Sequence, residues 1–178
     1  MLKKIAIGLL AVVAIVLGLA TTKPNEFAVT RTITIKAPPD KIMPLIADFH
    51  NWAQWSYWET LDPKMVRTFE GPASGKGAVY GWKGDSKVGQ GRMEVVEVQP
   101  ASALIKLDFK DPVESNNMTE FTLTPEGDAT KVTWNMKGPM PFISKIMAVF
   151  VDMDKMIGPD FEKGLAGMKA AAEKAPQV

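Results

Sequence analysis

Six short segments with strand patterning follow one another between Met65 and Lys137 with only turns between them, and one long amphipathic segment comes after. Met65–Phe69 ends at Gly71-Pro72, and Val79–Trp82 leads to a hairpin tip at Gly84-Asp85-Ser86. Val88–Val98, with Met93 and Val95 on one face, closes at Pro100. Leu104–Phe109 alternates Ile105, Leu107 and Phe109 with Lys106 and Asp108, and stops at Asp111-Pro112. Asn117–Thr124 puts Phe121 and Leu123 on one face before a turn at Pro125–Asp128; Thr130–Lys137 does the same with Val132, Trp134 and Met136 before Gly138-Pro139. A period of two is the mark of a strand with one buried face. An earlier segment has it too: Phe27, Val29, Ile33 and Ile35 alternate with Thr30, Thr32 and Thr34. Strands joined by hairpins make an antiparallel sheet, so the pattern predicts seven antiparallel strands.

The helical segments are fewer. Ala37-Pro38-Pro39-Asp40 opens one, with Ile42, Met43, Leu45 and Ile46 at helical spacing, and Asp48–Trp58 is short, aromatic and helical or irregular. From Pro141 to Lys174 the apolar residues Ile143, Ile146, Met147, Phe150, Met153, Ile157, Phe161, Leu165 and Met168 recur mostly every three or four positions. Gly158-Pro159 should bend or break that helix, because proline removes an N–H and clashes with the preceding turn. A helix about 10 Å wide cannot cover a flat seven-stranded sheet roughly 30 Å wide. The sheet must curl around the helix, and the space between them need not fill. That geometry predicts a cavity.

The amino terminus belongs to a different environment. Met1-Leu2-Lys3-Lys4 precedes sixteen residues without a charge, Ile5–Ala20, which Thr21-Thr22 extend. As a helix the stretch is about 24 to 27 Å long, enough for a short transmembrane anchor or a long signal-peptide core. Gly18 and Ala20 would suit cleavage after Ala20, but the apolar core is at or above the usual cleaved length, which favours an anchor. Lys3 and Lys4 place the short end in the cytoplasm and the rest outside the inner membrane. The expected organisation is an anchor or signal at 1–22, a linker at 23–26, one domain at 27–174 and a disordered tail at 175–178.

Composition closes off several chemistries. With no cysteine there are no disulfides, thiolate metal sites or thiol nucleophiles. One histidine cannot build a site needing two imidazoles. The net charge of +1 carries no bias toward nucleic acid. The glycines at 71, 75, 77, 81 and 84 lack the strand–turn–helix context and the Gly-Lys-Ser/Thr ending of a phosphate loop, and read as turns and sheet curvature.

Several stretches together resemble one superfamily. They are Ile35-Lys36-Ala37-Pro38-Pro39, Trp52-Ala53-Gln54-Trp55-Ser56-Tyr57-Trp58-Glu59, Gly71 to Trp82, Gly89-Gln90-Gly91-Arg92-Met93, Thr130-Lys131-Val132-Thr133-Trp134 and Asp152 to Leu165. With the element order, they resemble the START-like, SRPBCC or Bet v 1-like superfamily over nearly all of residues 23–174. The nearest subgroup is the bacterial polyketide cyclase/dehydrase-like proteins with an amino-terminal hydrophobic segment. Tyr57 departs from the Trp-Ser-Pro-Trp run of many relatives, which touches the local loop and not the fold. The resemblance implies an α+β helix-grip fold: a curved seven-stranded antiparallel sheet around a long carboxy-terminal helix, behind the amino-terminal transmembrane or signal helix. It also implies an internal cavity for apolar small molecules such as lipids, sterols or polyketides; only some members are cyclases.

Strand parity aims Phe27, Val29, Tyr80, Trp82, Met93, Ile105, Leu107, Phe121 and Trp134 at that cavity, and helical spacing adds Phe150, Met153 and Phe161. Arg31 shares parity with Val29 and is the inward polar candidate; Arg92 is out of register with Met93 and should face outward. Trp52, Trp55 and Trp58, three apart, form either a cavity mouth or a packed corner. Met43, Met93, Met118, Met136, Met147, Met153 and Met156 are adaptable wall material or plain core. His50 has no evident partner, so no Ser/His/Asp arrangement can be drawn, and it reads as a surface residue. Glu59 and Asp62 are candidate bases at the mouth or else caps, and Asp152, Asp154, Asp160 and Glu162 read as a solvated helix face rather than a metal cluster. The expectation is thus a membrane-tethered carrier or sensor of an apolar small molecule or lipid, with no catalytic residue, metal or cofactor assigned and its oligomeric state open. The rivals are a cyclase-, dehydratase- or hydrolase-like enzyme in the same cavity, needing converging buried ionisable groups, and an interaction module with a filled interior.

Overall fold

The computed structural model describes residues 1–111 and 114–174; the expected strand stop at Pro112 and the tail at 175–178 lie outside the described residues. In chain order the elements are α1 (Leu2–Thr21), β1 (Glu26–Ile35), α2 (Pro39–Ala47), two 3-10 helices (Phe49–Gln54 and Tyr57–Thr60), β2 (Val66–Glu70), β3 (Val79–Lys83), β4 (Gln90–Gln99), β5 (Ser102–Asp111), β6 (Ser115–Glu126), β7 (Ala129–Pro139), α3 (Phe142–Met147) and α4 (Met153–Lys174). The strands form one antiparallel sheet in the order β1-β7-β6-β5-β4-β3-β2. The curved sheet wraps the long carboxy-terminal α4, and the apolar α1 stands before it.

Local chemistry explains most boundaries. Gly127 takes φ +66° in the two-residue turn between β6 and β7, a left-handed conformation that suits glycine. β6 runs on to Glu126, so the turn is tighter than Pro125–Asp128 suggests. β7 continues through Gly138-Pro139, because its partner strand β1 pairs Phe27 with Gly138 and Glu26 with Pro139. A register shift between Val95 and Glu97 interrupts the β4–β5 ladder; such a bulge bends its strand and adds to sheet curvature.

The carboxy-terminal segment differs from expectation. It is two helices, and the break falls at Ala148–Asp152 rather than at Gly158-Pro159. Asp152 Oδ1 accepts hydrogen bonds from the backbone N–H of Asp154 at 3.0 Å and of Lys155 at 3.4 Å, an N-cap that starts α4 afresh. Pro159 stays inside α4, flanked by an ionic clamp: Arg31 reaches from β1 to Asp154 at 2.7 Å and to Glu162 at 2.6 Å. The clamp lies against Gly158, where a methyl group would collide with the Arg31 guanidinium.

The core lies between the inner face of the sheet and α4, and it is aromatic. Trp134 stacks on Phe161 with ring centres 3.9 Å apart and on Phe121 at 4.8 Å, and meets Trp55 edge-on at 5.6 Å. Each buried indole has an acceptor: Trp52 donates to Ile46 O, Trp55 to Leu45 O, Trp82 to Val88 O and Trp134 to Thr119 Oγ1. A buried N–H without a partner would be costly, so these bonds fix the rings as well as satisfy them.

Candidate functional site

α4 stays close to β1 along much of its length. Its Gly158 lies at Arg31, Lys169 donates to Thr34 O at 2.7 Å, and Glu173 accepts from the Lys36 N–H at 2.8 Å. The sheet row that starts at Phe27, near the beginning of β1, therefore lies toward the amino-terminal end of α4. Across the strands that inward row reads Phe27, Gly138, Asn117, Leu107, Met93 and Tyr80, by ladder pairing and by the approach of Asn117 to the bare Cα of Gly138. Phe27, Leu107 and, one step further out, Phe109 are only half-buried, as is Ile157 on α4. These half-buried side chains form the apolar edge of the core toward the amino-terminal end of α4.

One polar atom breaks that edge. Asn117 is 4 % exposed, and among the described residues its Oδ1 has no hydrogen-bond partner, while its Nδ2 donates to Ser115 Oγ at 3.3 Å. Gly138 makes the room: a methyl there would strike Asn117 Oδ1 and crowd the Phe27 ring. An unpaired buried carbonyl costs about 1–3 kcal/mol unless a donor reaches it. Asn117 was not among the expected site residues, yet a signal was present: it shares parity with Phe121 and Leu123, a polar residue on an apolar face.

At the β2–β3 side of the same row lies a second polar group. Glu59, its side chain 7 % exposed, accepts from Arg67 Nε at 2.6 Å and from the Tyr80 hydroxyl at 2.5 Å. Burial first, and the Glu59 carboxylate second, hold the Tyr80 phenol well above its ordinary pKa, so it stays a donor. The hydrogen bond to Glu59 likewise raises Arg67. Both Glu59 oxygens are thus engaged. Asp62, the other acid expected near a mouth, is a turn residue: it accepts from the backbone N–H of Asp85 and of Lys64, which hold its carboxyl below the usual range.

The remaining expected residues are placed differently from one another. Val29, Tyr80, Trp82, Met93, Ile105, Phe121, Trp134 and Phe161 are buried in the continuous core, and Met153 is half-buried at the start of α4. Trp52 and Trp55, weighed as a mouth, are buried at a packed corner, where Trp55 touches Phe121 and Trp134; Trp58 is half-buried against Trp134 and Phe161. Phe150 does not line the interior. It is 72 % exposed, because the break before α4 takes it off the helix face that its spacing suggested. Arg31 is half-buried and held by α4; Asp154 and Glu162 stand on a solvent-exposed helix face, as expected, and in addition clamp the guanidinium. His50 is exposed, with Nδ1 2.8 Å from Asp48 Oδ1 and its ring stacked on Phe69. Tyr57 lies under the Lys163 ammonium, 4.0 Å from ring centre. Among the described residues no group of three His, Asp or Glu is placed to hold a metal. An open hollow of about 230 Å³ lies between the first 3-10 helix and β2–β3, lined by Phe49, His50, Phe69, Pro72 and Ala78, and touches none of the expected cavity residues.

A curved antiparallel sheet closed on a carboxy-terminal helix defines the helix-grip class. The chain belongs to the family described as "Polyketide cyclase / dehydrase and lipid transport", which it matches over residues 26–173. No curated protein matches it. Among solved structures it is similar to norcoclaurine synthase from Thalictrum flavum in complex with dopamine and hydroxybenzaldehyde (TM-score 0.62, 10% identity, 86% of this chain and 90% of that one). It is also similar to protein MLL2253 from Mesorhizobium loti (0.61, 16%, 84% and 99%) and to the Aha1 dimer from Colwellia psychrerythraea (0.59, 16%, 83% and 97%). At these identities the likeness is one of fold.

Proposed function

We propose that the protein binds and carries an apolar small molecule with a hydrogen-bonding head, taken up at the edge of the core toward the amino-terminal end of α4. The observation that carries this reading is Asn117 Oδ1, buried and, among the described residues, unpartnered, in the row of the half-buried Phe27, Leu107 and Phe109. Apolar walls supply affinity by burial, and one placed acceptor orients the ligand and selects a donor-bearing head. Lipid transport in the family description fits this chemistry. The domain spans 27–174, joined by a linker at 23–26 to an anchor at 1–22. α1, 20 residues long and thus about 30 Å, crosses the inner membrane with Lys3 and Lys4 inside and the domain outside.

A catalytic reading would use Glu59 and Tyr80, which meet at 2.5 Å. Against it, both Glu59 oxygens already accept charged or neutral donors from the protein, so no proton acceptor faces a substrate. Native mass spectrometry of the full chain from its host membrane, followed by solvent extraction, tests the carrier reading. The expected result is a bound amphiphile, retained by wild type and depleted in Asn117→Leu. Recovery of no apolar molecule from the intact anchored protein overturns it.

A further inference from the structure

The segment between β7 and α4 carries more exposed apolar surface than a water-soluble face tolerates. Phe142, Ile143, Met147, Phe150 and Val151 are all exposed, with Ile143 at 65 % and Phe150 at 72 %, and Met156 in the first turn of α4 is exposed beside them in the chain. From Gly138 to Val151 the only charged residue is Lys145. The two acids that follow are turned to the protein: Asp152 caps α4, and Asp154 holds Arg31. Contiguous apolar patches of this kind mark contact surfaces.

Three observations indicate what covers the patch. The apolar α1 runs beside α3. Only residues 22–25 separate α1 from β1, a reach of at most about 14 Å. The last of those residues is tied to α3 and its approach: the Met140 N–H, just before α3, donates to Asn25 O at 2.7 Å, and Lys145 Nζ, within it, donates to Asn25 Oδ1 at 2.6 Å. Wherever α1 leaves a bilayer, α3 and the turn after it must be within one short linker of the surface.

We infer that α3 and the Ala148–Asp152 turn lie in the headgroup–acyl boundary of the membrane that α1 crosses, as a second, interfacial attachment. This rests on the anchor reading of α1. A short apolar stretch flanked by a lysine suits that boundary, with the Lys145 stem crossing the apolar layer toward the headgroups. The consequence concerns the ligand. Phe27 and Gly138 pair at the same end of the sheet as the linker and α3, so the Asn117 rim faces the bilayer. An amphiphile then passes between bilayer and protein without crossing water, its head leading to Asn117.

The chain lacks cysteine, so single-cysteine labelling reads out cleanly. Full-length Val12→Cys, Ile143→Cys, Phe150→Cys and Asp128→Cys, each carrying an NBD fluorophore, are reconstituted into phosphatidylcholine/phosphatidylglycerol vesicles with nitroxide-labelled lipid. All four positions are exposed, so the label displaces no core contact; circular dichroism matching wild type verifies the fold. The expected result is blue-shifted emission and lipid quenching at 12, 143 and 150, with neither at 128. Quenching at 12 but water-like emission at 143 and 150 overturns this inference and leaves the anchor standing. No quenching at 12 overturns the anchor reading itself, and this inference with it. A blue shift at 143 and 150 without lipid quenching means a second copy covers the patch, and also overturns it.

Discussion

Asn117 concentrates the functional argument in one atom. A buried carbonyl oxygen without a donor is an energetic deficit that a ligand can remove. Asn117→Leu should therefore leave stability within about 1 kcal/mol of wild type or raise it, while abolishing selectivity for donor-bearing ligands. A urea midpoint lowered by the equivalent of more than about 2 kcal/mol would mean that the amide is already satisfied. Glu59 should behave in the opposite way. Glu59→Ala leaves Arg67 and the Tyr80 hydroxyl without their shared acceptor, and should cost about 3 kcal/mol in the same assay. Arg31 makes a pH prediction. Its hydrogen bonds hold the Asp154 carboxyl below the usual range, and the N–H groups of Lys36 and Asp85 do so for Glu173 and Asp62. A carboxyl depressed in the folded state stabilises above its unfolded pKa, and loses that contribution as pH falls through the depressed value. Stability should decline on the acid side of the usual carboxylate range. Arg31→Met should lose less than wild type between about pH 7 and about pH 3; equal losses would remove the clamp from the account.

At the scale of elements, α4 shows why spacing alone misplaced a helix break. Gly158-Pro159 carries the strongest breaker signal in the segment, yet the helix passes through it. Arg31 joins Asp154 before the proline to Glu162 after it, and bare Gly158 admits the guanidinium between. The real break, at Ala148–Asp152, comes from a cap that the sequence does contain, but a run of apolar residues at helical spacing hides it. Phe150 was misassigned with it. Further along, Gly167 allows α4 to touch the backbone of Trp55, where a methyl group would collide with the Trp55 carbonyl. Alanine is the better helix former by about 1 kcal/mol, but Gly167→Ala should still destabilise by about 2 kcal/mol. Thermal unfolding decides the sign, and a raised Tm would show that the corner yields. The strands were far more legible. All seven were marked by strand patterning and turn residues, and β2 to β7 pair in chain order; that β1 pairs with β7, and that β2 at the far edge stays largely exposed, was decided by the closing of the sheet.

At the scale of the whole molecule, the pieces follow one another in order: an apolar helix, a four-residue linker, then the end of the sheet where β1 begins, with the short apolar α3 beside α1. What the sequence determined by itself is the set of strands, their antiparallel hairpin joining from β2 to β7 and the long apolar amino terminus, since these depend on periodicity, turn chemistry and uninterrupted apolar length. Tertiary structure alone decided which inward residues are fully buried in the core and which stay half-buried at its edge. Parity puts Val29 and Phe27 on the same face, but α4 covers the first fully and the second only in part. It also decided that Arg31 serves α4, that Glu59 meets Arg67 and Tyr80, and that Asn117 Oδ1 is left without a donor among the described residues. Each depends on how far a helix reaches across a curved sheet, a distance set by contacts between residues far apart in the chain and absent from any local pattern.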